Sequence, residues 1–293
     1  MKLADRFTMA GQLPWTFDFP LRVAIPFAAW LFCCGACIGS FLNVVIYRLP
    51  RGRSLSHPSS CCPSCDHPIR WHDNIPILSW IRLGARCRDC NAPIAIRYLL
   101  VEGIVASSFV LLGMTEPITG GSGLPLRYSV QELDIWMVFA AHLVLTSTLL
   151  GAGLICWDCG RVPARLFAVM LAVLLVALPV AADFYPLPAW EDSSRWISLL
   201  AGLTAGCLAG TILAACEKVL AGKSSRTVVV SLAIVGMTLG WQLAAALLVL
   251  VIGTYLPLQL AVGRTRPLPI LLVVAAATMP LIAHWGWWWE FFS

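Results

Sequence analysis

The stretch Gly39-Ser-Phe-Leu-Asn-Val-Val-Ile-Tyr-Arg-Leu-Pro50 leads out of an apolar run into the one long polar, basic segment of the chain. This segment contains two cysteine pairs, Cys62-Pro-Ser-Cys65 and Cys87-Arg-Asp-Cys90. Each Cys-x-x-Cys turn can place two thiolates on one side, and two turns supply the four tetrahedral ligands of a structural zinc site. We therefore predict a closed zinc site formed by all four cysteines. Two disulfides, or unrelated buried cysteines, are the alternatives.

Composition places the rest of the chain in a membrane. Of 293 residues, 59% are hydrophobic and only 12% are charged, which excludes a soluble domain of this size. The apolar residues form repeated long blocks, as in helices that cross a bilayer. We predict an all-α polytopic membrane protein with about eight transmembrane helices and a small cytoplasmic zinc-binding domain between the first two. The net charge of +5 requires no nucleic-acid partner if the basic residues lie in one set of loops.

The predicted organisation has four parts, which are an N-terminal interfacial arm (1–21), a first transmembrane helix (22–48), the zinc-binding domain (49–97) and a transmembrane bundle (98–293). The further spans lie at about 98–115, 134–156, 166–183, 196–216, 227–240, 241–257 and 268–288. No polar break separates the sixth span from the seventh. In the fifth span, the small residues from Gly202 to Gly210 favour close helix packing over phosphate binding.

The distribution of basic residues predicts the orientation. If 48–97, 157–165, 217–226 and 258–267 share one side, that side holds fifteen of the 20 Lys and Arg residues. The basic side is expected to be cytoplasmic, so an eight-span chain has both termini outside. A reducing cytosol then favours metal over disulfides at the four cysteines.

These residues resemble the N-terminal domain of type IV prepilin peptidases over about sixty-five residues. The likeness extends from Gly39 through both cysteine pairs to Arg97, Tyr98 and Glu102. It implies a multi-pass protein of the bacterial inner membrane with a cytoplasmic zinc domain. It also implies type IV prepilin-like or pseudopilin precursors as partners, whose leader the family cuts. The family then N-methylates the new amino terminus with S-adenosylmethionine as the donor.

The family cuts with two aspartates at the cytoplasmic ends of two helices. One carboxylate deprotonates water while the other, protonated, polarises the scissile carbonyl. The first family motif resembles the stretch from Leu154 to Pro163 here. Aligned on the proline, the leading aspartate falls on Cys156, and Asp158 takes the second acidic position; a shift of two residues would instead make Asp158 the leading aspartate. Asp158 is therefore a catalytic candidate, and the alternative is a loop residue that pairs with Arg161 or Arg165 or caps the next helix.

The second family motif is reduced further. Its end matches Gly236-Met-Thr-Leu-Gly-Trp241, but a gap-free alignment places Thr227-Val228 where Gly-Asp belongs, and no Gly-Asp dipeptide occurs in the chain. The other aspartates of the second half, Asp183 and Asp192, fall on the outer side in the predicted topology.

One further carboxylate lies on the side of Asp158. Glu217 closes the fifth span, and a carboxylate at a membrane boundary is a functional candidate. The alternative is that Glu217 extends to the interface beside Lys218. In the second span, Glu102 is expected to form a structural ion pair with Arg97 or Arg48.

Three functions remain open. The chain is a prepilin leader peptidase and N-methyltransferase with an incomplete aspartyl pair; or it is an inactive member that binds pilin-like substrates or scaffolds a secretion or pilus assembly; or it retains only methyl transfer.

Overall fold

The computed structural model describes residues 21–115, 132–180, 195–222, 226–263 and 268–283, and these residues are mainly helical. The loops that hold Asp183 and Asp192, and the arm before residue 21, lie outside the described residues. Two single turns of 3-10 helix, Leu49–Arg51 and Trp71–Asp73, lie in residues 49–95, which we call the cysteine segment. The helices are α1 (Leu21–Arg48), α2 (Leu78–Arg82), α3 (Ile96–Thr115), α4 (Glu132–Cys159), α5 (Arg165–Val180), α6 (Arg195–Ala221), α7 (Arg226–Val262) and α8 (Ile270–Ala283).

Most of these helices are long and apolar enough to cross a membrane. Among the described residues, five helical runs meet that condition, in α1, α3, α4, α6 and α7, while α8 and the first part of α5 are shorter apolar helices. Each predicted span overlaps one of these helices, with the sixth and seventh both in α7; the predicted ends at 183 and 288 lie outside the described residues. The prediction of an all-α polytopic fold, with the cysteine segment between its first two spans, is confirmed.

Helix α7 contains two spans, because its direction changes at Gly240. This residue has φ 85° and ψ 168°, a backbone conformation that glycine reaches without strain. Gly240 lies beside Gly202 of α6, whereas Tyr255 lies within electrostatic reach of Glu217. Each pair is fifteen residues apart along its helix, about 22 Å at 1.5 Å per residue, so a straight α7 would separate Tyr255 from Glu217 by about 45 Å. The chain therefore turns back here, at the predicted boundary between the sixth and seventh spans.

Small residues let α6 and the first half of α7 approach closely. A Cβ added at Gly206 would lie 2.1 Å from the carbonyl oxygen of Leu232, and one added at Gly202 would lie 2.1 Å from that of Gly236. Only glycine fits at such distances, so backbone contacts backbone as in other membrane helix pairs. The predicted packing role of Gly202 to Gly210 is confirmed.

The described helix ends that flank the four predicted basic loops lie at one end of the bundle. Arg97 at the start of α3 contacts Asp158 at the end of α4, and Glu217 near the end of α6 contacts the backbone of Ile270 at the start of α8. α4 also packs against the start of α8 at Gly153. The cysteine segment, the ends of α4, α6 and α7 and the starts of α5 and α8 therefore lie together.

Candidate metal centre and candidate catalytic residues

The four predicted cysteine ligands meet in space. The Sγ atoms of Cys62, Cys65, Cys87 and Cys90 all lie within 4.8 Å of one another, and those of Cys62 and Cys90 are 3.8 Å apart. Sulfurs around a tetrahedral zinc with Zn–S bonds of about 2.3 Å lie about 3.8 Å apart. All four cysteines are unbridged, so the disulfide alternative is not supported. The four-cysteine cluster could hold a metal ion and is compatible with structural zinc. The neighbouring Cys61 is exposed and lies outside this cluster.

The two cysteine turns share one backbone construction. The residue after each second cysteine, Asp66 or Asn91, has a positive φ of 55° or 58°. In each turn its N–H donates to the carbonyl of the first cysteine, at 2.9 Å to Cys62 and at 3.0 Å to Cys87. Asp and Asn tolerate this left-handed conformation better than most residues. The local sequence therefore orients each thiol pair before the two turns come together.

The thiols also have the electrostatics of a cation site. Backbone N–H groups of Ser64 and Cys65 stabilise the thiolate of Cys62 and lower its pKa to about 6. The N–H of His67 favours the thiolate of Cys65, but burial and the neighbouring thiols outweigh it and raise the pKa of Cys65 to about 12. Four adjacent thiolates repel one another, and a divalent cation would offset that repulsion.

A buried carboxylate connects the second cysteine turn to α2. Asp73 accepts hydrogen bonds from Arg88, between Cys87 and Cys90, at 2.6 and 2.7 Å, and from Arg82 of α2 at 2.9 Å. The hydrogen bond from Arg88 is the largest of the effects that lower the pKa of Asp73 to about 2. Asp73 therefore stays ionised at any physiological pH and fixes α2 to the metal cluster.

Glu102 does not form the predicted ion pair with Arg97 or Arg48. Its carboxylate is buried and accepts the backbone N–H of Ile77 at 2.7 Å. Arg48 donates instead to backbone carbonyls of the cysteine segment. The prediction was wrong because Glu102 lies five residues beyond Arg97 along α3, too deep in the bundle to reach the surface arginines. At that depth the backbone N–H of Ile77 is its hydrogen-bond donor.

Asp158 pairs with a residue that the sequence did not indicate. Nη1 of Arg97 lies 2.7 Å from both carboxylate oxygens, and both side chains are partly exposed. Arg97 thus takes the place of the predicted partners Arg161 and Arg165. One indication of this ion pair was present in the sequence, which is that Arg97 and Asp158 both fall in loops predicted to lie on the same, basic side of the membrane. Cys156, aligned with the leading family aspartate, packs partly buried against the core.

Glu217 lies inside the bundle. Only 3% of it is exposed, and its Oε1 lies 3.5 Å from the backbone nitrogen of Ile270, at the start of α8. The prediction that it extends to the interface is wrong, because the exposed neighbour Lys218 takes the outward position. A carboxylate at a helix N-terminus stabilises the unpaired N–H groups there. The two candidate carboxylates thus contact different helices, Asp158 the start of α3 and Glu217 the start of α8.

Comparison with known proteins identifies the lineage. The Bacterial Peptidase A24 N-terminal domain matches residues 33–115, which include the metal cluster. The prepilin leader peptidase/N-methyltransferase of Neisseria gonorrhoeae is 31% identical over 225 residues, which cover 69% of this chain and 68% of that protein. This chain belongs to the prepilin leader peptidase/N-methyltransferase family.

The likeness is strongest around the cysteine segment. The family protein of Myxococcus xanthus (strain DK1622) is 57% identical over 76 residues, 26% of this chain and 23% of that protein. That of Klebsiella pneumoniae is 38% identical over 130 residues, 42% of this chain and 55% of that protein. The matches thus span about a quarter to about half of the length of these two relatives. No solved structure matches the chain.

The position of the second family aspartate is apolar and closed. In the gap-free alignment it falls on Val228, which is fully buried in the core of the bundle. The aligned lysine position, Val230, is exposed on α7. Val229 and Leu232, which neighbour Val228, pack against Gly210 of α6.

Two buried polar residues near Glu217 were missed in the sequence. The hydroxyl of Tyr255 donates to the carbonyl of Leu268, and the amide of Gln259 bonds to the backbone at both Gly263 and Leu268. Tyr255 and Gln259 are four residues apart, so they share one face of α7. Polar side chains at that spacing in an apolar span are the signal that could have found them. They hold the start of α8 against Glu217.

Proposed function

We propose that this family member binds type IV prepilin-like or pseudopilin precursors at the end of the bundle that carries the cysteine segment, and does not cleave them with the family's aspartyl pair. The observation that carries the proposal is the buried Val228 at the second aspartate position. An aspartyl mechanism needs two neighbouring carboxyls that share a water molecule and differ in protonation. A valine packed in the core supplies no carboxyl and admits no water.

The contacts of Asp158 support the same conclusion. Arg97 Nη1 occupies both carboxylate oxygens at 2.7 Å and neutralises the charge. A carboxylate held in this way is unsuited to donating a proton to a scissile carbonyl. It is well suited to fixing the start of α3, and with it the cysteine segment, to the end of α4.

We further propose that this end faces the cytoplasm of a bacterium, across the inner membrane, with both termini outside. The shared end of the four basic loops supports that orientation through the positive-inside rule. In this proposal residues 49–97 form a zinc-binding domain in which Cys62, Cys65, Cys87 and Cys90 hold structural zinc. Residues 98–293 form the bundle that resembles the family's catalytic domain.

Leader cleavage by an altered carboxylate pair is the second candidate. It has support because Glu217 and Cys156, which aligns with the first aspartate, both lie within electrostatic reach of Tyr255. Glu217 could then act with Asp158. Methyl transfer alone, with S-adenosylmethionine as donor, is the third candidate, and we assign no residue to the methyl donor.

Co-expression with a prepilin-like substrate separates these candidates. The host lacks its own prepilin peptidases, and intact-mass measurement of the substrate reports leader removal and N-terminal methylation. We expect the precursor to co-purify with the chain and to keep its leader, while an intact family enzyme removes it. Leader removal that Asp158→Asn abolishes would refute the proposal. Methylation of a pre-cleaved substrate without cleavage would instead select the third candidate.

A further inference from the structure

The cysteine segment has an apolar edge that no described part of the chain covers. Leu78 and Ile81, three residues apart on α2, are 64% and 61% exposed. Trp71, in the neighbouring 3-10 turn, is 82% exposed. The hydroxyl of Ser79 donates to the carbonyl of His72 at 3.2 Å, which fixes that turn to α2. We call Trp71, Leu78 and Ile81 the apolar edge.

The attachment of α2 to α3 sets the depth of this edge. Ile77, directly before α2, donates its N–H to the carboxylate of Glu102 at 2.7 Å. Glu102 follows Arg97 by five residues, about 7.5 Å along the helix axis. Arg97 is partly exposed and ion-paired with Asp158, as expected of a residue at the membrane surface. The backbone of Glu102 therefore lies about 7 Å below the level of Arg97, and the chain that enters α2 lies beside the Glu102 carboxylate.

Helix α1 gives a second measure of the same depth. Gly39 packs directly against the backbone of Glu102. Tyr47 lies eight residues further along α1, about 12 Å, and Arg51 and Arg53 stack on its ring. An aromatic ring with arginines at a helix end is typical of the membrane–water interface. Both helices thus place Glu102, and Ile77 with it, below the interface markers.

The backbone holds α2 at this depth rigidly. Ile77 has φ 65° and ψ −55°, and the N–H of Leu78 lies 2.6 Å from the carbonyl of Pro76, which makes a γ-turn with positive φ. Such a turn is strained for a β-branched residue and persists only where its surroundings fix it. The bond to Glu102 and the bond from the Ile75 N–H to Ser79 Oγ supply that restraint.

We propose that the apolar edge lies in the headgroup layer of the same membrane that the bundle spans, so that lipid is the occupant of this surface. Each headgroup layer is about 5–8 Å thick, and interfacial helices bury their apolar face by about 5–10 Å. The two measures, about 7 and about 12 Å, run to the backbone of Glu102. Its side chain leans toward the start of α3, so Ile77 lies toward the shallower end of them, within these ranges. The arm before residue 21 is an unsuitable occupant, because α1 separates it from Arg48 by 28 residues, about 42 Å.

Photo-cross-linking in the full chain tests the proposal. A benzophenone amino acid replaces Leu78 in one variant and, as control, the exposed Ser64 of the first cysteine turn in another. Both variants are reconstituted in nanodiscs of phosphatidylethanolamine and phosphatidylglycerol, and metal content confirms that each is folded. After irradiation we expect mass adducts of lipid on the peptide that contains position 78 and none at position 64. If a variant loses its metal, the same label at Ile81 replaces that at Leu78, and the same label at the exposed Ser56 replaces that at Ser64.

Three outcomes would overturn the assignment. A cross-link from position 78 to a second copy, or to residues 1–20, would identify a protein occupant. A water-quenched label with no adduct would place the edge in solvent. Equal lipid adducts at positions 78 and 64 would mean that lipid contact is not specific to this edge.

Discussion

Replacing Gly206 with alanine should separate α6 from the first half of α7. The new Cβ would lie 2.1 Å from the carbonyl oxygen of Leu232 and 2.9 Å from Cα of Ala233. Real Cβ atoms do not come closer than 3.0 Å to such atoms, so the helices must part by 3.0 − 2.1, or 0.9 Å, along this direction. Both obstructing groups are backbone, so no side-chain rotation relieves the contact.

The loss of stability follows from the dispersion contacts that this separation of the two helices weakens. A gap of 0.5–1 Å forfeits about a quarter to a half of each dispersion contact, and overpacking typically costs about 1–3 kcal/mol. Gly253 provides the matched control, because a Cβ there meets nothing within 4 Å. Alanine at Gly253 should be neutral or stabilise α7 by up to about 1 kcal/mol through helix propensity.

Thermal unfolding in one detergent, followed by helical circular dichroism, compares the variants. We expect Gly206→Ala to melt about 2–12 °C below the parent, at about 2–4 °C per kcal/mol for a chain of this size. Gly236→Ala acts on the same interface, so the double variant should lose less than the sum of the two single losses. If Gly206→Ala melts at or above Gly253→Ala, the close-packing argument is wrong.

Three further predictions concern the end of the bundle that carries the metal cluster. Arg97→Gln and Asp158→Asn should each lower the melting temperature, with a coupling of about 1 kcal/mol in the double variant; strictly additive losses would mean that the ion pair contributes nothing. Cys87→Ser should abolish stoichiometric zinc in purified protein while Cys61→Ser retains it, as measured by elemental analysis; equal zinc in both would exclude the four-cysteine site. Because the pKa of Asp73 is about 2, its ion pairs are complete above about pH 4 and lost only as pH falls toward 2. Asp73→Asn should therefore speed zinc release to a chelator at pH 7, and an unchanged release rate would contradict this.

The features that depend on local sequence were predictable. Hydropathy located the spans because each one must cover the same bilayer thickness. The cysteine ligands were predictable because each pair closes its own turn over four residues. An apolar run of 37 residues is too long for one crossing, so two spans were expected there, but no polar break marked their boundary, and only the structure places the reversal at Gly240.

The partners of the buried carboxylates were not predictable. Charge alone allowed Glu102 to pair with Arg97, but their five-residue separation puts Glu102 below the surface, where a backbone N–H from residue 77 reaches it. Arg97 is then available to Asp158, sixty-one residues away. Glu217 is buried and its neighbour Lys218 is exposed because they lie on different faces of α6. Which face is buried depends on how α8 packs. Such choices depend on tertiary register, which hydropathy does not contain.

Under the proposed function, the contrast between the metal centre and the aspartyl positions implies that Val228→Asp alone would not supply the family's aspartyl pair. Each half of the metal cluster is complete within four residues, so it does not depend on how the bundle packs. The aspartyl pair needs two helices in register and a water-filled space between them. Val228 is fully buried, and an isolated carboxylate in its place would be desolvated at a cost of several kcal/mol. Val228→Asp would therefore be expected to loosen α6 from α7 or to take up a proton, and in neither case would it meet Asp158, which Arg97 holds at the start of α3.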